Sequence, residues 1–322
     1  MSTTFSFIGK QIIIYCGTPI FISGICGGLL NTLVLLSLRT FRKNSCAFYL
    51  IIMSIFNIGQ LFTGLFSRIM IALYDIDGTE TSLFYCKFRF YLFHICTTTS
   101  LTCLCLATFD QYCSTCSRPR WQQLCNIKLA HRLVIISIII WALHGIPFLV
   151  YFNHIQSSIT KKITCTSTNI IFTQYRAFFI IPGLIGYLPV TIATLFGLMA
   201  YYNVQQATYR EVPLIRRELD KQLTIMVLVQ VIVNIFTIIP YITVNAIATN
   251  PNSMHDPVLQ ANLLLVIPIT LVIYYIYFAS PFYIYICASE RFRRQLIYVL
   301  FTIHLNRCRR PRMITNQVIP ET

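Results

Sequence analysis

The sequence predicts an all-α membrane protein, a single bundle of seven transmembrane helices. Three observations predict it. Of 322 residues, 56% are apolar and only 11% are charged, and the mean hydropathy is +0.67; a soluble chain carries about 25% charged residues. Seven apolar stretches each reach the roughly 20 residues that a helix needs to cross the hydrocarbon. The basic residues, which set the formal net charge at +15, fall in clusters between those stretches rather than along them. Such a chain has too little polar surface to cover itself in water, which excludes a soluble enzyme and a disordered tail. The clustering makes the bilayer, not nucleic acid, the partner of the positive charge.

In order, the stretches are Gln11–Leu38, Cys46–Tyr74, Phe84–Cys113, Ala130–Phe152, Ala177–Tyr202, Leu223–Ala248 and Leu259–Cys287. The first is too long for the apolar region of a secretory signal, contains Pro19 and lacks a small-residue cleavage site after it, so it is a retained helix. The fourth, which includes LVIISIIIWALHGIPFLVYF, is the plainest. The longest linker runs from Asn153 to Arg176, which leaves no room for a second folded domain. Residues 1–10 form a short N-terminal segment, 11–287 the seven-helix domain, and 288–322 a basic tail.

Charge sets the orientation. One side of the bundle receives Arg39, Arg42 and Lys43; Arg118, Arg120, Lys128 and Arg132; Arg210, Arg216, Arg217 and Lys221; and the arginines from Arg291 to Arg312. The other side and its helix ends hold Lys10, Arg68, Lys87, Arg89, Lys161, Lys162 and Arg176, with Asp75, Asp77, Glu80 and Asp256. Basic loops stay in the cytoplasm, so the N-terminus is expected outside and the C-terminus inside.

The central parts of the spans hold no Asp, Glu, Lys or Arg. Buried ionisable groups mark ion paths and proton relays, so a pump or coupled transporter is disfavoured. Arg68 lies roughly 16 Å beyond the middle of the second helix, close enough to the interface to snorkel. His94 and His144, near helix ends, read as hydrogen-bonded packing residues. No phosphate-binding glycine loop, HExxH or GxSxG elbow occurs, and no catalytic group, cofactor or metal site is expected. Cys113 and Cys116 have redox or zinc spacing, but without a second pair they read as small packing residues. So do Cys26, Cys96, Cys103, Cys105 and Cys287 within the spans.

Helix by helix, the chain resembles the rhodopsin-like (class A) G-protein-coupled receptors. The first helix has Gly27-Gly-Leu-Leu-Asn31, where the family keeps an Asn that ties helices one, two and seven. The second has Ser54-Ile-Phe-Asn57, with Asn57 in place of the family's Asp. The third begins near Cys86 and ends in Asp110-Gln111-Tyr112, at the place of Asp-Arg-Tyr; the separation is about 37 Å of helix. Trp141 stands at the fourth helix's Trp, and Pro189 and Pro240 at the kink prolines of helices five and six. Ser280-Pro281-Phe-Tyr-Ile-Tyr285 resembles Asn-Pro-x-x-Tyr, and Phe292 with its arginines resembles a short amphipathic eighth helix.

The resemblance implies a plasma-membrane receptor for an extracellular ligand, a heterotrimeric G protein as partner, and a two-state bundle in which the inner ends of helices five and six swing out. It implies a Cys86–Cys165 disulfide over the bundle mouth and a helix-core polar network of Asn31, Asn57 and Ser100. It implies a coupling region of Asp110, Gln111, Tyr112, Asp220, Ser280, Pro281 and Tyr285, and a pocket near Phe93, His94 and Thr97. Packing accounts for His94 and Thr97 equally well. Cys308, among arginines, has the setting of a palmitoylation site or of an ordinary cytoplasmic thiol.

The departures matter as much. Gln111 replaces an Arg, so no charged lock to Asp110 or Asp220 can form, although Asp110 could pair with an inner-loop Arg. Asn57 and Ser280 remove carboxylates from the usual sodium pocket. Ile238 replaces a Trp, Gly197 a Tyr, and Tyr285 lies one residue late. Phe93 stands where amine receptors have Asp, which disfavours an amine ligand, while Lys161, Lys162 and Arg176 hint at an anionic or acidic-peptide one. Two alternatives stay open: a receptor fold that binds without coupling, and a seven-helix transporter or channel.

Overall fold

A computed structural model describes residues 2–37, 42, 44–75, 77–156, 163–206, 214–249 and 257–303, with the backbone alone at 2–3, 214–220, 257 and 302–303. Seven helices are long and apolar enough to cross a membrane: α1 Thr4–Ser37, α2 Ser45–Tyr74, α3 Leu83–Thr115, α4 Ile127–Tyr151, α5 Ile170–Gln206, α6 Lys221–Thr249 and α7 Val258–Ala279. After α7 come α8, Pro281–Ala288, and the short amphipathic α9, Glu290–Ile297.

Polar residues at the helix starts accept the first free backbone N–H groups. Asn44 accepts from Ala47 N at 3.0 Å, Ser82 from Tyr85 N at 3.3 Å, Asn126 from Lys128 N at 2.9 Å, and Asn169 from Phe172 N at 3.1 Å. α2 stops at Asp75, the one non-glycine residue with positive φ (54°) among those described, whose N–H closes on Ile71 O at 3.0 Å. Within the spans, many serines and threonines bond the carbonyl one turn back, as Thr98 does to His94 O at 2.7 Å, and so satisfy their hydroxyls within their own helix.

α3 is the central rod. It packs on α2, α4, α5 and α6, while α1 closes the ring against α2 and α7. Its most apolar window is 61% buried, against 17% for α4. On α4, Ile135, Ile136, Ile139, Ile140 and Leu143 are all more than half exposed, an apolar face of the kind that lipid covers. Close approach needs small residues. A Cβ on Gly24 of α1 would lie 2.9 Å from Ala279 Cβ and 3.2 Å from its Cα on α7, and backbone cannot rotate away.

Several boundaries differ from the sequence reading. The helix of α1 starts at Ser2 rather than Gln11, because Gly9 lets its first turns seat against Pro268 and Leu264 O of α7, and Lys10 pairs with Asp75 at the end of α2. α5 starts at Ile170 rather than Ala177, capped by Asn169. The linker before it holds an antiparallel hairpin, β1 Phe152–Gln156 and β2 Ile163–Ser167, with His154 opposite Cys165. The seventh stretch is interrupted at Ser280, where Pro281 cannot donate a backbone hydrogen bond. α9 buries Phe292 completely, and its Gln295 donates to Ser37 Oγ at 2.7 Å, fastening it under α1. Asp220's side chain, Lys161, Lys162 and Cys308 lie outside the described residues.

Candidate functional site

At the hairpin end of the bundle, α2 to α7 enclose a cavity of about 100 Å³. Cys86, in the first turn of α3, is fully buried and disulfide-bonded to Cys165 of β2, with Cα atoms 5.9 Å apart. The bond holds the hairpin against α3, and Phe152 of β1 stacks on Phe90 with centroids 4.4 Å apart. His154 Nε2 lies 2.7 Å from Thr79 O, a further tie from the hairpin to the α2–α3 turn.

Phe93 and His94 line the cavity. Thr97 does not: it is fully buried and donates to Phe93 O at 2.8 Å. His94 is not a lone histidine. Its Nε2 lies 2.9 Å from His144 Nδ1, and His144 Nε2 lies 3.0 Å from Tyr175 OH, so one hydrogen-bonded chain links α3, α4 and α5. The opposite wall is aromatic. Tyr241 of α6 stacks on Tyr274 of α7 at 4.4 Å, and Gln60 of α2 donates to Tyr274 OH at 3.4 Å. Gly64 makes room beside it, since a Cβ there would fall 2.3 Å from Tyr275 OH.

Sequence reasoning named Arg176 among the cations that hint at an anionic ligand but did not bring Arg68 and Arg89 to the same wall. Arg68, Arg89 and Arg176 all line the cavity, although each was expected only at a loop or at the interface. A signal was present. Residues four apart share a helix face, so Arg89 necessarily stands one turn above Phe93.

In the middle of the bundle, Asn31 donates to Ser54 Oγ at 2.6 Å, joining α1 to α2. Ser100 donates to Asn57 Oδ1, joining α2 to α3, and Trp141 donates to Thr102 Oγ1 at 2.9 Å, joining α3 to α4. Ser280 bonds Tyr277 O at 3.2 Å within its own segment. Asn57 Nδ2 and Asn31 Oδ1 have no hydrogen-bond partner among the described residues. Pro189 follows a π-helical stretch, Arg176–Tyr187, and its carbonyl accepts from Cys105 Sγ at 3.5 Å; Pro240 sits inside α6, one residue before Tyr241. The Asn57–Ser100 group contains neutral oxygens where a sodium ion would need a carboxylate. Exchanging sodium chloride for choline chloride at equal ionic strength is therefore expected to leave the protein's melting temperature unchanged.

At the opposite, basic end, Asp110 accepts from Ser45 Oγ at 2.6 Å. Gln111, only 1% exposed, accepts from Thr224 of α6 at 2.9 Å. Tyr112 packs on Trp121 and Phe196 at 6.0 and 5.6 Å. Tyr285 is fully buried against Phe292, at 5.9 Å, and its hydroxyl has no partner among the described residues. Ser45 and Thr224 carried no sequence signal, because hydroxyls in apolar spans are usually satisfied by their own helix.

Seven apolar helices, a hairpin fastened by a disulfide over one mouth and interhelical polar bonds through the centre define a multi-pass membrane protein of the seven-helix receptor class. The chain belongs to the 7 transmembrane receptor (rhodopsin family), whose model matches residues 30–280. No curated protein matches it.

Proposed function

We propose that the chain is a plasma-membrane receptor, N-terminus outside, that takes an extracellular ligand into the hairpin-end cavity and transmits its presence to a heterotrimeric G protein at the basic end. The observation that carries this reading is that α6 reaches both regions. Tyr241 lines the cavity, and Thr224, about 25 Å away along the same helix, makes the bond to Gln111 of α3. A ligand that favours one position of Tyr241 thereby biases the α3–α6 contact. Pro240 lacks the backbone N–H that would stiffen α6 beside Tyr241. The basic loops and tail support the orientation, as does the disulfide, which belongs on an oxidising side.

The test is nucleotide exchange on a panel of Gα subunits by the full receptor in lipid nanodiscs, alone and with peptide and small-molecule extracts. Exchange above receptor-free discs is the expected result. No exchange on any subunit under any condition would overturn coupling and favour the reading that Gln111 suggests, a receptor fold that binds without transducing.

A further inference from the structure

Three guanidinium groups from three helices meet at the hairpin-end cavity: Arg68 of α2, Arg89 of α3 and Arg176 of α5. Arg89 is 7% exposed and is anchored by its Nε, which donates to Thr63 O at 2.9 Å. Arg176 is half-buried, and its Nε has no hydrogen-bond partner among the described residues. None of the three forms an ion pair among the described residues, and no carboxylate lines the cavity. Of the nearby loop acids, Asp75 holds Lys10, and Asp77, which accepts from Thr79 N at 2.9 Å, offsets only part of the charge of Arg89. Ring faces give partial relief, with Arg89 5.4 Å from Phe90 and Arg176 5.8 Å from Phe152, but a quadrupole does not neutralise a cation. Like charges gathered at one cavity repel one another, and Arg89 and Arg176, unlike the exposed Arg68, also lose hydration, so an entering anion would relieve the arrangement. Guanidinium forks match the paired oxygens of carboxylate and phosphate.

We infer that the cavity binds a small amphipathic anion, with a carboxylate or phosphate group held among Arg68, Arg89 and Arg176 and its apolar body against Phe93, Phe148 and Tyr274. The inference rests on the receptor reading for the site's purpose, but its binding test needs no G protein. The enclosed volume of about 100 Å³ restricts the buried part to a headgroup and a short apolar body.

The full receptor in phosphatidylcholine nanodiscs is melted with octanoate, octyl phosphate or uncharged 1-octanol, and affinity is taken from the concentration dependence of the shift. The anions are expected to raise the melting temperature and octanol to leave it unchanged, with the tighter of octanoate and octyl phosphate identifying the headgroup. Arg89→Gln and Arg176→Gln are each expected to weaken anion binding about tenfold or more, the loss of a charge-assisted hydrogen bond, and Arg89→Lys to recover part of it. Melting of each empty variant checks that it is folded, and a folded Arg176→Gln protein suffices should Arg89→Gln not assemble. Equal response to octanol and the anions, no response to any probe, or undiminished binding by both folded glutamine variants would overturn the inference. Anion binding without nucleotide exchange would refute coupling and keep this site. Exchange driven through the cavity by an uncharged ligand would do the reverse.

Discussion

Cys86→Ser is expected to lower the receptor's melting temperature by several degrees and to weaken ligand retention in the hairpin-end cavity. The disulfide joins residues 79 apart in sequence, and closing such a loop in a disordered chain is worth roughly 4–5 kcal/mol. Here α3 and α4, which lie between the cysteines, are restrained by lipid even when the bundle loosens. The realised loss is therefore smaller, about 2–4 kcal/mol. Its effect is concentrated at the mouth. The hairpin carries Phe152, which stacks on Phe90 and lies under the Arg176 guanidinium, so a freed hairpin removes both the cover of the cavity and the support of one of its cations. Thermal melting with and without dithiothreitol, on the parent and on Cys86→Ser, checks this. Reductant should shift the parent down to the variant and leave the variant where it is. A parent indifferent to reductant, with a variant melting alongside it, would contradict the assigned role.

Gln111→Ala is expected to raise basal nucleotide exchange. Gln111 is buried at the basic end, and its side-chain oxygen accepts from Thr224 across the α3–α6 contact. A hydrogen bond between membrane helices contributes about 0.6 kcal/mol on average and up to about 1.7, so its removal multiplies the open population roughly three- to eighteenfold. Thr224→Val removes the same bond from the other side. Because the two residues share one interaction, the double variant should exceed the larger single effect only slightly. Fully additive effects, or unchanged basal exchange in all three variants, would show that this bond does not hold α6 in place. The family position normally carries an Arg that locks to acid; a neutral Gln–Thr bond is weaker, so a higher basal output than in receptors with the charged lock is the physical consequence.

Much of this architecture was readable from residue order. The seven spans need only hydropathy and length, and the Cys86–Cys165 pairing and the amphipathic segment around Phe292 were implied by the resemblance. Other features were hidden because they depend on partners far away in sequence. A hairpin of half-polar residues between two strong apolar runs gives little hydropathy signal, so β1 and β2 read as linker. Thr97 shares a broad helix face with Phe93, yet the packing around α3 closes over it. Ser45, 65 residues away in sequence, donates to Asp110, a contact that no local pattern announces.

The sequence by itself determined that this protein lives in a bilayer and crosses it seven times, since the cost of carrying polar groups through hydrocarbon depends on the residues of each segment alone. Only the tertiary structure decided that Arg68, Arg89 and Arg176 face one cavity and that Thr224 meets Gln111. Those outcomes depend on how far each helix is rotated and how closely its neighbours approach. Glycines such as Gly24 and Gly64 set that approach through contacts with another helix, and no single span's composition encodes it.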